Sequence, residues 1–129
     1  MERLKPLLGK WTTEGGAPGA STYRMGLGGH YLIHEFETTT PNGRTLNGIE
    51  YVTWDEDTQT LRSHLKADEG SNCAYTYQVD EDGTHWTWFG DKGSANFFKG
   101  QLSKDGKTLA GRWQWAGGGF DCVSRRVGE

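Results

Sequence analysis

Across 129 residues the chain holds only two cysteines and three prolines, and no apolar run approaches the ~20 residues of a membrane-spanning helix. A disulfide-stapled scaffold and a helical membrane protein are thereby excluded. Positive charge is also scarce: 14 Lys and Arg stand against 17 Asp and Glu, for a net charge of −3. The basic residues form no stripe, so the electrostatic footprint of a nucleic-acid-binding protein is missing and no nucleic-acid partner is expected. The opening Met1-Glu2-Arg3-Leu4-Lys5-Pro6-Leu7-Leu8 lacks the apolar core and small-residue cleavage site of a secretion signal, which leads us to expect a cytoplasmic protein with no membrane association. Cys73 and Cys122 lie in no CxxC pair, so free thiols are expected in preference to a disulfide. The chain also lacks a Gly-x-Ser-x-Gly elbow and a phosphate-binding loop.

What the chain has is glycine and aromatic residues: twenty Gly, six Trp, five Tyr and five Phe. Ten segments read as short strands at a spacing typical of all-β folds, approximately 9–15, 20–27, 30–40, 44–55, 60–68, 72–80, 84–90, 95–103, 108–116 and 119–127. One short helix is expected before them, with Leu4, Leu7 and Leu8 on one side and Gly9 ending it. No linker or long repeat divides residues 1–129, which read as one domain. Sequential hairpins with one apolar face predict an all-β, antiparallel up-and-down barrel of about ten strands. A flattened two-sheet sandwich is the alternative.

The turns set the register. Asn42-Gly43, Asp82-Gly83 and Asp105-Gly106 read as two-residue turn signals. They predict Glu35 opposite Glu50, Ile33 opposite Val52, Tyr31 opposite Trp54, Tyr77 opposite Trp88, Val79 opposite Trp86, Leu102 opposite Leu109 and Phe98 opposite Trp113. A four-residue loop over 116–119 would set Trp113 against Cys122 and Leu109 against Arg126. Alternation places Leu61, Leu65, Ala67, Cys73, Tyr75, Tyr77 and Val79 on the same face. On this reading Trp11, Trp54, Trp86, Trp88, Trp113 and Trp115 all point inward. A slip of one residue would invert any strand. At the Gly28-Gly29 turn two registers stay open, one turning Arg24 inward beside Glu35, the other Tyr23 and Met25.

Gly9-Lys10-Trp11 after a short helix, followed by antiparallel strands, resembles the calycin superfamily of lipocalins and fatty-acid-binding proteins. The resemblance implies that Trp11 closes one end of the barrel against an arginine of the last strand, Arg125 or Arg126, and the register favours Arg126. Gly28-Gly29-His30-Tyr31-Leu32, Asn42-Gly43, Gly48 and Tyr51-Val52-Thr53-Trp54-Asp55 are similar to an uncharacterised bacterial lipocalin-like family of small single-domain barrels. That family has no established common activity, so the resemblance implies architecture alone. Haem-binding nitrobindin-type barrels share the Gly-x-Trp opening but use a histidine near the C-terminus. This chain has none after His85. No cofactor is expected.

Candidate chemistry centres on Glu35 and Glu50, read as an opposed pair with Cβ atoms about 5 Å apart on the aromatic face. Such a pair is relieved by solvent, by a shared proton or by a cation. The ligand-binding wall is expected from Tyr31, Glu35, Glu50, Trp54, Tyr75, Tyr77, Trp86, Trp88, Phe98, Trp113 and Trp115, with Trp11 and Arg126 as the closure. His30, His34, His64 and His85 fall on the outer face without metal-ligand spacing, so no metal site is expected. Ser63 and Ser124 face inward but lack an inward histidine, which argues against a nucleophilic triad. Gly48, Ser63, Ala67, Gly100, Gly111 and Ser124 leave space between the rings, and ten strands enclose more room than eight. The expected function is to bind a small apolar or aromatic molecule, with a cationic group among the options the carboxylates leave open. The alternative is an isomerase or cyclase using Glu35 or Glu50 for proton transfer. A homodimer through Phe36, Ile49 and Tyr51 on the outer face is a further expectation.

Overall fold

A computed structural model describes residues 1–129. Ten antiparallel strands follow a 3₁₀ helix over Glu2–Leu7. They are β1 (Gly9–Gly15), β2 (Gly19–Gly26), β3 (Tyr31–Thr39), β4 (Thr45–Asp55), β5 (Thr60–Ala67), β6 (Asn72–Val79), β7 (Thr84–Phe89), β8 (Phe97–Leu102), β9 (Thr108–Trp115) and β10 (Gly118–Gly128). Each pairs with its sequence neighbours, and β10 pairs with β1 to close the barrel. The expected all-β barrel of ten strands with a short N-terminal helix is therefore observed, and the sandwich is not.

The helix plugs one end. Leu4 and Leu7 are fully buried in a cluster with Trp11, Leu32, Val52, Leu61, Tyr77, Val79 and Leu102. The Trp11 indole N–H donates to the Leu7 carbonyl at 2.8 Å, and the Arg126 guanidinium lies 4.4 Å over the indole ring. Arg126 also donates to the carbonyls of Pro6, Leu8 and Gly106. One arginine thus caps the tryptophan and satisfies the backbone where the helix meets the barrel.

The register differs from expectation at three turns, and at two of them the faces change. Thr40 N–H donates to the Arg44 carbonyl at 2.8 Å, and Asp80 N–H to the Thr84 carbonyl at 2.8 Å, so each loop holds three residues. Gly43 (φ +85) and Gly83 (φ +89) occupy the left-handed region, whereas Asn42 and Asp82 do not. That pattern is a type I turn followed by a left-handed glycine, which adds one residue relative to the two-residue turn. The slip sets His34 opposite Glu50, Leu32 opposite Val52, Thr87 opposite Tyr77 and His85 opposite Val79. It reverses the assigned faces of β3 and β7. At Asp105-Gly106 the pairing of Leu102 with Leu109 and Phe98 with Trp113 is as expected. The β9–β10 turn has two residues, not four, so Trp113 meets Phe120 and Leu109 meets Ser124; the shift of two leaves the faces unchanged.

Two large rings complete the wall where side chains are missing. A Cβ at Gly48 would collide with the Phe36 ring, and Cβ atoms at Gly100 or Gly111 would meet the Phe98 ring within 2.8 Å. The aromatic ring covers the glycine backbone in each case. The β6–β7 ladder runs on past β7, where Gly90 N–H donates to the Ala74 carbonyl at 2.8 Å, and Arg62 pairs with Asp91 at 2.6 Å.

Because Leu7 is buried in the plug, Leu7→Ala should lower the unfolding free energy by about 2–5 kcal/mol in urea titration. A loss below about 1 kcal/mol would mean that the helix does not seal the barrel.

Candidate functional site

Inside the barrel, beyond the plug, lies a cavity of about 440 Å³. Its outer part is lined by Ala17, Thr38, Leu46, Ser71, Trp115 and Phe120, which sit near the loops at the end opposite the helix. Deeper, Tyr75, Phe98, Trp113 and Phe36 form aromatic walls, and Leu65, Cys73, Leu109 and Cys122 fill between them. Both cysteines are free, and burial, helped by the charge of Asp121, pushes the Cys122 thiol up to about 11.

A buried polar centre forms the inner boundary. Glu50, 2% exposed, projects inward from β4. Oε1 accepts from Tyr77 OH at 2.6 Å and His34 Nδ1–H at 3.0 Å, and Oε2 accepts from Ser63 OH at 2.6 Å. Four strands contribute: β3, β4, β5 and β6. Burial pushes the Glu50 carboxyl up. The hydrogen bond and charge of His34, with the hydroxyls of Ser63 and Tyr77, outweigh it and hold the group below its ordinary range. Burial and the Glu50 charge raise the Tyr77 and Tyr23 phenols, which stay neutral. Tyr23 stacks face to face on His34 with centroids 4.1 Å apart.

His85 stands beside this centre on β7, with its Nε2 3.0 Å from the Thr87 hydroxyl and its ring edge-on to Tyr77. Burial lowers it to about 4; the Glu50 charge opposes the shift and His34 adds to it. His34 Nε2 and His85 Nδ1 are buried without a hydrogen-bond partner. Each such atom forfeits the hydrogen bonds it would make in water.

Of the expected wall, Glu50, Tyr75, Tyr77, Phe98, Trp113 and Trp115 line the cavity. Tyr31, Glu35, Trp54, Trp86 and Trp88 do not. Glu35 is carried outside by the β3 slip, where it pairs with Arg24 at 3.2 Å, both more than half exposed. The Glu35–Glu50 pair therefore does not exist. Tyr31 goes outside with Glu35 and packs edge-on against Tyr51. Trp86 and Trp88 stack on each other outside, with Lys99 4.8 Å over Trp86. Trp88 is nonetheless buried, because the segment containing Lys92 folds beside it. Trp54 keeps the inward alternation of β4 but lies at its far end, 43% exposed and outside the cavity. At β2 the pairing expected of the Gly28-Gly29 turn is observed, with Arg24 opposite Ile33, but the β3 slip turns both outward, so that Tyr23, opposite His34, and Met25, opposite Leu32, face inward.

His34 and His85, expected on the outer face, are inside, and Phe36, expected in an outer dimer patch, is also inside. Sequence reasoning missed Tyr23 as a site residue, together with His34, Phe36, His85, Thr87 and Phe120. A signal was present in β3, where even-numbered Leu32 and Phe36 flank His34 as plausibly inward as Tyr31 and Ile33.

The buried His85 makes stability depend on pH. The unfolded chain takes up a proton near the ordinary value of 6.5, whereas the folded protein resists until about 4. The unfolded state therefore binds more protons in that window, and stability falls as pH is lowered through it. Urea midpoints measured from pH 7 to 4 should drop steeply in the wild type and less steeply in His85→Phe. Parallel curves would contradict the assignment.

No protein-family model matches the chain, and no curated protein matches it. Among solved structures it is similar to a de novo designed fluorescence-activating β-barrel, at 12% identity and a TM-score of 0.56, over 98% of this chain and 99% of that one. At that identity the likeness is one of fold.

Proposed function

We propose that this barrel binds a small, largely apolar and aromatic molecule in its cavity. The carrying observation is the 440 Å³ space itself, walled by Tyr75, Phe98, Trp113, Trp115 and Phe120 and bounded inside by hydrogen-bonded polar groups. An apolar wall with a few convergent polar groups is the usual make-up of a small-molecule site. A designed barrel of the same fold that activates a fluorophore's emission is consistent with this use of the architecture. A calycin relationship would also accord with it, since Trp11 stacks under Arg126 in the manner that resemblance implies.

Glu50 does not support a cationic ligand as its direct partner, because three donors already occupy it. A second reading, proton transfer by an isomerase or cyclase, is favoured by the His34–Glu50 contact at 3.0 Å. In that reading His34 takes the proton, since Glu50 is enclosed and Glu35 is outside. Turnover lost in His34→Gln with binding retained would identify it.

An environment-sensitive dye with an apolar aromatic body and one sulfonate, 8-anilinonaphthalene-1-sulfonate, should bind with one-to-one stoichiometry and quench tryptophan emission. Ala67→Trp, which places an indole into the cavity, should weaken binding about ten-fold or more while leaving the fold intact by circular dichroism. Equal binding by both proteins would place the dye elsewhere and contradict the proposal.

A further inference from the structure

The polar centre narrows the ligand class. That narrowing rests on the binding reading above. Glu50 has about four lone-pair positions, and Tyr77, Ser63 and His34 fill three of them. The carboxylate therefore serves to orient His34 more than to meet a ligand. His34 Nδ1–H points to Glu50, the Tyr23 ring covers one face of the imidazole, and Phe36 sits 5.2 Å from it. The atom left over is Nε2, buried and without a partner on a side chain that lines the cavity.

What Nε2 requires follows from the Nδ1 contact. With Nδ1–H committed to the carboxylate, a neutral imidazole offers a lone pair at Nε2, and a charged imidazolium offers an N–H. A protonated amine, which only donates, meets only the first state, and an ionised carboxylate, which only accepts, meets only the second. A weakly acidic hydroxyl meets both, as O–H···N or as O⁻···H–N⁺, with one proton shared between oxygen and nitrogen. The other titratable groups nearby leave this role to His34. Tyr23 on β2 and Tyr75 and Tyr77 on β6 are neutral phenols, His85 on β7 is neutral, and Glu50 on β4 is the fixed anion. We propose that the ligand is a planar aromatic molecule bearing a phenolic or enolic hydroxyl, and that this hydroxyl hydrogen-bonds to His34 Nε2.

The test uses 4-nitrophenol, its methyl ether 4-nitroanisole and 4-nitrobenzylamine as probes, titrated into the whole protein and followed by tryptophan quenching and by the phenol's own absorbance. The phenol should bind about ten-fold or more tightly than the ether, because the ether has no proton to offer a neutral Nε2. That preference should vanish in His34→Phe and in His34→Gln, with the ether still bound and the fold retained by circular dichroism. The wild-type comparison needs no variant and stands if either substitution disrupts folding. Equal affinity for phenol and ether, or a preference for the amine, would overturn the inference and leave the binding reading in place. A phenol preference that survives both substitutions would also overturn it. Failure of all three probes to bind would contradict both.

Discussion

Glu50 is the only acidic side chain among the buried residues, and its charge imposes conditions on the strands around it. An ionised carboxylate removed from water costs several kcal/mol unless its oxygens are satisfied. Here they are satisfied by Ser63 on β5, Tyr77 on β6 and His34 on β3. Each of those residues must point inward at the same height, so the charge selects one register across four consecutive strands. A slip of one residue in β3 would replace the imidazole with Ile33 or Glu35 and leave an anion unpaired, or paired with another anion. The same centre separates the two halves of the interior, with the closed apolar plug under Arg126 and Trp11 on one side and the aromatic cavity on the other.

The division of the aromatic residues follows from the same register. Trp113, Trp115, Phe120, Tyr75, Phe98 and Phe36 face the cavity, and Trp11 seals the plug. Trp86 and Trp88 lie outside, where lysines and the segment after β7 cover them. A tryptophan on an outer face is tolerable when its neighbours shield it, and the Thr76 hydroxyl donating to the Gly90 carbonyl at 2.6 Å fastens that cover. The small inward positions take on a second role. Gly48, Gly100 and Gly111 give room to Phe36 and Phe98, whose rings lie across the bare backbone.

Strand number, strand limits and barrel closure were legible from alternation and turn residues, and the Trp11–Arg126 end from the calycin resemblance, with the register selecting Arg126 over Arg125. The faces of β5, β6, β8, β9 and β10 were legible too, because their apolar residues alternate without ambiguity or their turns change length by an even number. The faces of β3 and β7 were not. In Ile33-His34-Glu35-Phe36 polar and apolar residues occupy both parities, so only the turn decides; His85-Trp86-Thr87-Trp88 alternates cleanly, but its tryptophan parity is the outer one. Asn-Gly and Asp-Gly serve a two-residue turn and a three-residue loop ending in glycine equally well, and the two differ by one residue. A further physical criterion was available: pairing Glu35 with Glu50 places like charges opposite each other, whereas the alternative gives Glu50 an imidazole. Weighing that electrostatic cost against the tryptophan count would have favoured the observed register and brought His34 into the candidate site.

The interior of the barrel depends on Glu50 being an ionised carboxylate held by three donors. Carbon-13 NMR of the Glu50 side-chain carboxyl, followed as pH is lowered, tests this most directly. The resonance should keep its carboxylate position through the pH range in which ordinary glutamates titrate, and move only below it. A carboxyl that takes up its proton at or above the ordinary value would show a desolvated acid without effective partners, and would contradict the account.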